Sequence, residues 1–299
     1  MQYFASAKSL EHYLINLKCS KKTFNQSVAL FNPLFQNDPF RVAEPELSIC
    51  ISNKKIHPVF RFLILDRTGY LSNSTKALLK RLIFYIDLIK TKIKNPKAIQ
   101  VFRALHSITS TPMDIYFGAD IENEKTVYGF WIILGGLSRY GQLFYNPKRD
   151  KAVINAMNSV LPFKIPSYQR PVLNLGFDIS DDTIFYKIYY LYNPKKDNNH
   201  EEVLASLPLL EKLHDFNKWC FISEQFDEKN RFIKRKLFIE FLEPLLFNSQ
   251  KTNTLLNIIS EMYIDQNASD LKDVFKNVYG RLSIISVEKD NTIKIYFRI

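Results

Sequence analysis

The strongest constraint on the fold is a set of runs that alternate with a period of two. The last seven residues, Ile293-Lys294-Ile295-Tyr296-Phe297-Arg298-Ile299, alternate without a break. Ile293, Ile295, Phe297 and Ile299 face one way, and Lys294, Tyr296 and Arg298 the other, as in a strand with one buried face. The pattern recurs in 184–192, where Lys187 and Tyr189 share a face, and in 233–241, where Lys234, Lys236, Phe238 and Glu240 share one. The apolar faces need a cover, which helices supply. The other faces repeat cations beside aromatics, which suits a polar cavity built for an anion.

The rest of the chain extends this pattern. Strands are expected at 46–52, 58–65, 113–121, 126–134, 171–178, 183–192, 219–224, 232–241, 281–288 and in the final run. Helices are expected at 7–18, with Leu10, Tyr13, Leu14 and Leu17 on one face, and from a Ser74 or Thr75 cap to about 94. Further helices are expected at 97–107, 149–160, 200–218, 250–264 and 268–279, with NPKKDNNHEE as a polar loop. ENEK, Ser180-Asp181-Asp182 and EKDN are hairpin-length connections, so the strands they join are antiparallel. Helices followed by two strands recur about five times without a sequence repeat. Ten antiparallel strands with every helix on one side can close into a barrel, which leaves no exposed edge. The expected fold is α+β, a ten-stranded barrel of five ααββ units, with 1–299 as one domain.

Composition narrows the partners. The chain of 299 residues is 46% hydrophobic, enough for a large core, and carries a net charge of +11, which favours anionic partners. A nucleic-acid binder is one reading of that charge. Many of the cations (Lys80, Arg81, Lys90, Lys92, Lys94, Lys97) fall on expected helices and loops rather than in one stripe. That reading leaves the cations on strand faces unexplained. Cys19, Cys50 and Cys220 have no paired spacing, against a disulfide framework or a zinc site and in keeping with a reducing compartment. The five histidines show no metal spacing, and no Gly-rich phosphate loop or Ser/His/Asp signature occurs. The N-terminal segment lacks the apolar core of a signal peptide, and no stretch approaches the roughly 18–20 apolar residues of a membrane span. A soluble, cytoplasmic protein, without nucleic acid or membrane as partner, is expected.

Several segments resemble the aromatic prenyltransferase superfamily, whose members fold as ααββ barrels. Lys187-Ile188-Tyr189, following Asn174-Leu175-Gly176-Phe177-Asp178, looks like that superfamily's lysine-plus-tyrosine strand. The nearer resemblance is to the cyanobactin prenyltransferases, which modify side chains of ribosomally made cyclic peptides. It rests on Glu46-Leu-Ser-Ile-Cys50, Phe60-Arg61-Phe-Leu-Ile-Leu-Asp66, Gly118-Ala-Asp120-Ile, Gly176-Phe-Asp178 with Ile188-Tyr189, Cys220-Phe221 and Ile293-Lys294-Ile295-Tyr296. These pieces occur in the family's order from about residue 46 onward.

The resemblance implies an activity and a set of roles. Prenyl transfer ionises an allylic diphosphate, so cations must hold the leaving group and aromatic faces must shield the carbocation from water. Arg61, Lys187 and Lys294 match diphosphate-gripping positions. Lys236 is favoured over Lys234 by its central place in the strand, and Arg298 is read as solvated beside the chain end. Tyr189 and Tyr296 match shielding tyrosines; Trp131, Tyr116 and Phe221 are candidate walls of the prenyl pocket. In the family, a bulky residue at the position Phe221 matches goes with a five-carbon donor, which tilts the donor toward dimethylallyl diphosphate and leaves geranyl diphosphate as the alternative. Glu46 matches the acidic residue that takes the acceptor's proton. Mg²⁺ is expected with the diphosphate, with Asp120 and Asp178 as candidate contacts, whereas Asp181-Asp182 reads as turn chemistry. The family's lysine near 127–129 is missing, and Lys125 or Lys187 is left to replace it. The expected partners are an allylic diphosphate and a cyclic or linear peptide carrying the acceptor Tyr, Trp or Arg, with the protein a monomer. A small-molecule prenyltransferase of the same fold is the alternative.

Overall fold

The computed structural model describes residues 45–66, 89–108, 114–122, 125–137, 143–168, 170–264 and 268–298, with scattered residues between 12 and 29 and between 83 and 87. Among the described residues the strands are β1 (Pro45–Ser52), β2 (Lys55–Asp66), β3 (Asp114–Glu122), β4 (Lys125–Ile133), β5 (Gly135–Leu137), β6 (Leu143–Tyr145), β7 (Val172–Ile179), β8 (Ile184–Leu191), β9 (Lys218–Asp227), β10 (Phe232–Leu246), β11 (Arg281–Val287) and β12 (Ile293–Arg298). Ten of them close into one barrel in the order β1-β12-β11-β10-β9-β8-β7-β4-β3-β2, every neighbouring pair antiparallel. This is the expected architecture. β5 and β6, which the sequence reading did not anticipate, form a separate two-stranded sheet.

Helices begin where the sequence supplies a cap. The tripeptide Asn-Pro-Lys occurs at 95–97, 146–148 and 193–195, and each copy starts a helix: α1 (Pro96–Ser107), α2 (Pro147–Asn158) and α3 (Pro194–Asp197). In each, the asparagine side chain accepts a backbone N–H of the first turn, and proline sits where no N–H is needed. The cap at Asn146 explains why α2 begins two residues before the expected 149. The cap at Asn193 explains why part of the supposed polar loop after Tyr192 is a short helix. α4 (Glu201–Lys212) stops well short of the expected 218, because β9 starts there. α5 (Gln250–Tyr263) is capped by Ser249, and α6 (Ala268–Val274) is shorter than expected. Described residues from 83 to 90 are helical, as are 12, 13, 15 and 16. The Ser74 or Thr75 cap, and Leu10, Leu14 and Leu17, lie outside the described residues.

Asparagines close the hairpins. Asn53 and Lys54 both adopt positive φ (49° and 61°) between β1 and β2, the requirement of a tight two-residue turn that follows the strand twist. Asn230 and Asn291 do the same between β9 and β10 and between β11 and β12.

The core lies between the barrel's outer face and the helices. Ile49, Phe117, Phe130, Phe177, Ile188, Ile285, Ile295 and Phe297 are all buried in it. Tyr13 fastens the N-terminal helical segment to this layer: its hydroxyl donates to the Ser48 carbonyl at 2.8 Å, and its ring packs edge-on against Phe297 at 5.0 Å. Because side chains alternate, every residue placed outward forces its neighbours into the lumen. No described helix is long and apolar enough to cross a membrane. Cys50 is buried and Cys220 half-buried.

Candidate active site

The lumen is built from the polar alternates of the same strands. In the antiparallel order β12-β11-β10-β9-β8, strands β8, β10 and β12 run parallel to one another. Each carries a lysine two residues before an aromatic: Lys187 and Tyr189, Lys236 and Phe238, Lys294 and Tyr296. The three lysines therefore lie toward one end of the barrel and the three rings beyond them. The buried rings Tyr189, Phe221, Phe238 and Tyr296 form one cluster with Leu173, and Trp131 and Trp219 pack against it. Phe221 and Phe238 stack with centroids 4.8 Å apart and planes 5° apart. Tyr189 lies 5.7 Å from Phe238, and Tyr296 lies 6.0 Å from Phe238 on its other side.

The lysine end is strongly cationic and shielded from water. Lys187 and Lys236 are each only 7% exposed. Lys187 Nζ pairs with Asp178 at 2.5 Å and lies 5.7 Å from the centre of the Trp131 ring. Lys236 pairs with Glu288 Oε1, and Lys234 Nζ reaches Glu288 Oε2 at 3.2 Å. Burial, reinforced by Lys294, Lys234 and Lys187, holds the Lys236 ammonium well below the usual lysine range, although Glu288 opposes the shift. Burial pushes the Glu288 carboxyl up, but Lys236, Lys234 and Lys294 together pull it down to about 2. A site that crowds buried cations in this way is primed for a polyanion.

Trp131 lies beside the β4 positions where the resemblance implies a lysine. A Cβ added at Gly129 would fall 2.1 Å from the Trp131 ring, and one at Gly176 would fall 2.8 Å from it. The indole therefore lies flat across these two glycines, over the place where a lysine of β4 would stand. Its Nε1–H donates to the Tyr189 hydroxyl at 3.0 Å. Lys125 is exposed, at the Glu122 end of the β3–β4 hairpin, and Lys187 is the cation that meets the indole. Tyr116 stands directly opposite Trp131 across the ladder.

The opposite end of the lumen holds Glu46, which is 5% exposed. Pairing of β1 with β12 places it opposite Arg298. Arg298 Nε approaches Glu46 Oε2 at 3.4 Å, and the Ser283 hydroxyl donates to the same oxygen at 3.2 Å. A register shift between Leu282 and Ile284 accompanies Ser283's turn toward this carboxylate. The expectation of a solvated Arg298 is thus corrected: its side chain is 14% exposed and ion-paired. Along β12, Lys294 and Arg298 are four residues apart, so about 13 Å separates the cationic end from the Glu46 end, with Tyr296 between.

Register sets Arg61 opposite Ser48 on one side and Asp120 on the other; its side chain lies outside the described residues. Glu288, Trp219, Ser283 and Ser286 were not among the expected site residues. Glu288 had a legible signal: it continues the inward alternation of Ser286 by one step, although EKDN reads as turn. The buried Asn174 Oδ1 has no hydrogen-bond partner among the described residues. Among the described residues no three His, Cys, Asp or Glu side chains gather into a metal-binding group, and Asp178 is engaged by Lys187.

No protein-family model matches the sequence, and no curated protein matches it. Among solved structures, the crystal structure of NotF prenyltransferase superposes with a TM-score of 0.55 at 11% identity, over 86% of this chain and 80% of that one. NotF in complex with brevianamide F and DMSPP superposes with a TM-score of 0.57 at 12% identity, over 98% and 92%. These structures do not bear on the finer resemblance to the cyanobactin enzymes. What they share with this chain is the fold.

Proposed function

We propose that this protein is a prenyltransferase that moves a dimethylallyl group from its diphosphate to a tyrosine or tryptophan side chain of a peptide. The observation that carries the reading is the parallel trio Lys187/Tyr189, Lys236/Phe238 and Lys294/Tyr296, which orders the lumen as cations, then rings, then the Glu46 carboxylate. The neighbour bound to brevianamide F and DMSPP supports a donor and an acceptor meeting in such a lumen.

In this reading Lys187, Lys236 and Lys294, with Arg61 of β2, hold the diphosphate. The bond between the allylic carbon and the diphosphate oxygen breaks, and its electron pair leaves with the diphosphate. The lysines stabilise the charge that develops. Tyr189, Tyr296, Trp131, Phe221 and Tyr116 line the path of the allylic cation and exclude water. The acceptor attacks the cation carbon, and Glu46 takes the proton displaced there. Arg298 and Ser283 both contact Oε2, so they aim the carboxylate and leave Oε1 for that proton. The same pairing disfavours an arginine acceptor, because Glu46 already has its guanidinium. Mg²⁺ enters this reading only as a companion of the donor, held by phosphate and water oxygens. The Phe221–Phe238 stack fills the middle of the lumen and favours the five-carbon donor over geranyl diphosphate. The cytoplasm and a monomeric state complete the reading.

The test is mass spectrometry of cyclic peptides bearing one Tyr, Trp or Arg each, with dimethylallyl or geranyl diphosphate and Mg²⁺. A gain of one prenyl group on the Tyr or Trp peptide supports it. Modification of a small phenol or indole alone moves the protein to the small-molecule branch. No transfer to either leaves a basic nucleic-acid binder, which salt-dependent binding would reveal.

A further inference from the structure

Glu288 is unusual for a site built to bind an anion. It is a carboxylate in the middle of the cation cluster, and its two oxygens are divided between two lysines. Oε1 pairs with Lys236 and Oε2 with Lys234 at 3.2 Å. That is the contact set one end of a phosphate would make with the same two ammonium groups. The charged groups around it come from four strands: Lys234 and Lys236 from β10, Lys294 from β12, Lys187 from β8 and, through Lys187, Asp178 from β7. The segment that carries it is fixed at its base, because the Glu288 backbone N–H donates to the Thr292 carbonyl at 2.9 Å. Its side chain is 16% exposed and reaches the lysines from the rim of the hairpin.

We propose that Glu288 is an internal counter-ion that a diphosphate must displace, and that it thereby sets the cradle's selectivity for polyanions and speeds release of the diphosphate product. The inference rests on the diphosphate reading of the same lysines. A singly charged or compact anion exchanges one carboxylate for a comparable charge and gains little. A diphosphate spans the lysines with more charge than the carboxylate it replaces, so it alone gains enough to move Glu288 aside. Without a competitor, buried lysines would hold the diphosphate after transfer and slow turnover. The carboxylate also opposes the loss of charge that burial and the neighbouring ammonium groups favour at Lys236.

Calorimetric binding of inorganic pyrophosphate and of inorganic phosphate to the wild-type protein, Glu288→Gln and Lys236→Met tests this without any prenyl transfer. At pH 6.5, Glu288→Gln is expected to bind pyrophosphate about tenfold tighter, and phosphate tighter by a larger factor, so that selectivity between them narrows. The pH above which pyrophosphate binding weakens is expected to fall in Glu288→Gln, because Lys236 loses the charge that opposed its deprotonation. A side chain that only braced the hairpin would weaken both ligands and leave that pH unchanged; this result overturns the inference. Wild-type binding of pyrophosphate that Lys236→Met abolishes, with Glu288→Gln no tighter than wild type, overturns the counter-ion role and spares the diphosphate reading. No pyrophosphate binding by any of the three overturns both.

Discussion

The two faces of the barrel are made by the same strands and obey opposite rules. Outside, polar groups are few and locally answered. Arg235, for example, donates to Glu224 at 2.6 Å and lies 3.5 Å from Glu202, while the Tyr190 hydroxyl donates to Glu224 at 2.9 Å. Inside, Lys187 pairs with Asp178, and Lys234 and Lys236 both pair with Glu288, with Lys294 close enough to act on Lys236 and Glu288. A folding-only account explains the outer face, because burial of Phe130, Phe177 and Ile188 stabilises the chain. It does not explain the inner face, where crowding of ammonium groups costs stability. Natural chains keep such local conflicts mainly where function needs them.

The comparison is broken if inner-face changes behave like outer-face ones. The largest effect is expected for Lys236→Met, a change of similar volume: kcat/KM for the donor should fall about 10²–10³-fold with circular dichroism unchanged. Its mirror image is Phe177→Ala on the outer face. That variant should lose about 3–5 kcal/mol of stability in denaturant titration while the folded fraction keeps its kcat. Equal losses of activity in the two variants would erase the distinction.

Gly129→Leu sharpens the comparison at the aromatic level. Its side chain must displace the Trp131 indole, which breaks the bond to Tyr189 and moves the ring from Lys187. A fall in kcat of roughly tenfold is expected, within the range for misplaced catalytic surroundings, with tryptophan fluorescence shifted to the red. An unmoved emission spectrum would show that the indole does not depend on this seat.

Proton linkage gives a smaller effect with a definite sign. Lys236 is held below the ordinary lysine range by burial and by its cationic neighbours. An incoming polyanion raises its pKa, so donor binding takes up a proton. Affinity is then full at pH values below the depressed pKa of the free protein and is lost as pH rises through it. Donor KM measured against pH should rise on the alkaline side, and Lys236→Met should flatten that rise. The smallest change is expected for Phe221→Ala, which opens the stack with Phe238. The ratio of geranyl to dimethylallyl transfer should increase several-fold, about 1 kcal/mol of discrimination; an unchanged ratio would remove Phe221 as the gauge of donor length.

The sequence by itself determined the strands, because alternation over 184–192, 233–241 and 293–299 leaves no choice about which side chains share a face. It also determined the antiparallel sense of each hairpin, whereas the helix starts at Asn146 and Asn193 came to light only in the structure. From these the ten-stranded barrel could be expected, and Lys187, Lys236, Lys294, Tyr189 and Tyr296 could be assigned to one surface. Only the tertiary structure decided which of them meet. Closure pairs β1 with β12, so Glu46 finds Arg298 at a separation of 252 residues. Packing lays Trp131 across Gly129 and Gly176, contacts that no local pattern encodes. Glu288 enters the cation cluster because the β11–β12 hairpin continues its ladder one step beyond the strand, where composition reads only as turn. Periodicity fixes direction along a single strand; distances across the lumen depend on register, bulges and ring closure, which belong to the assembled barrel.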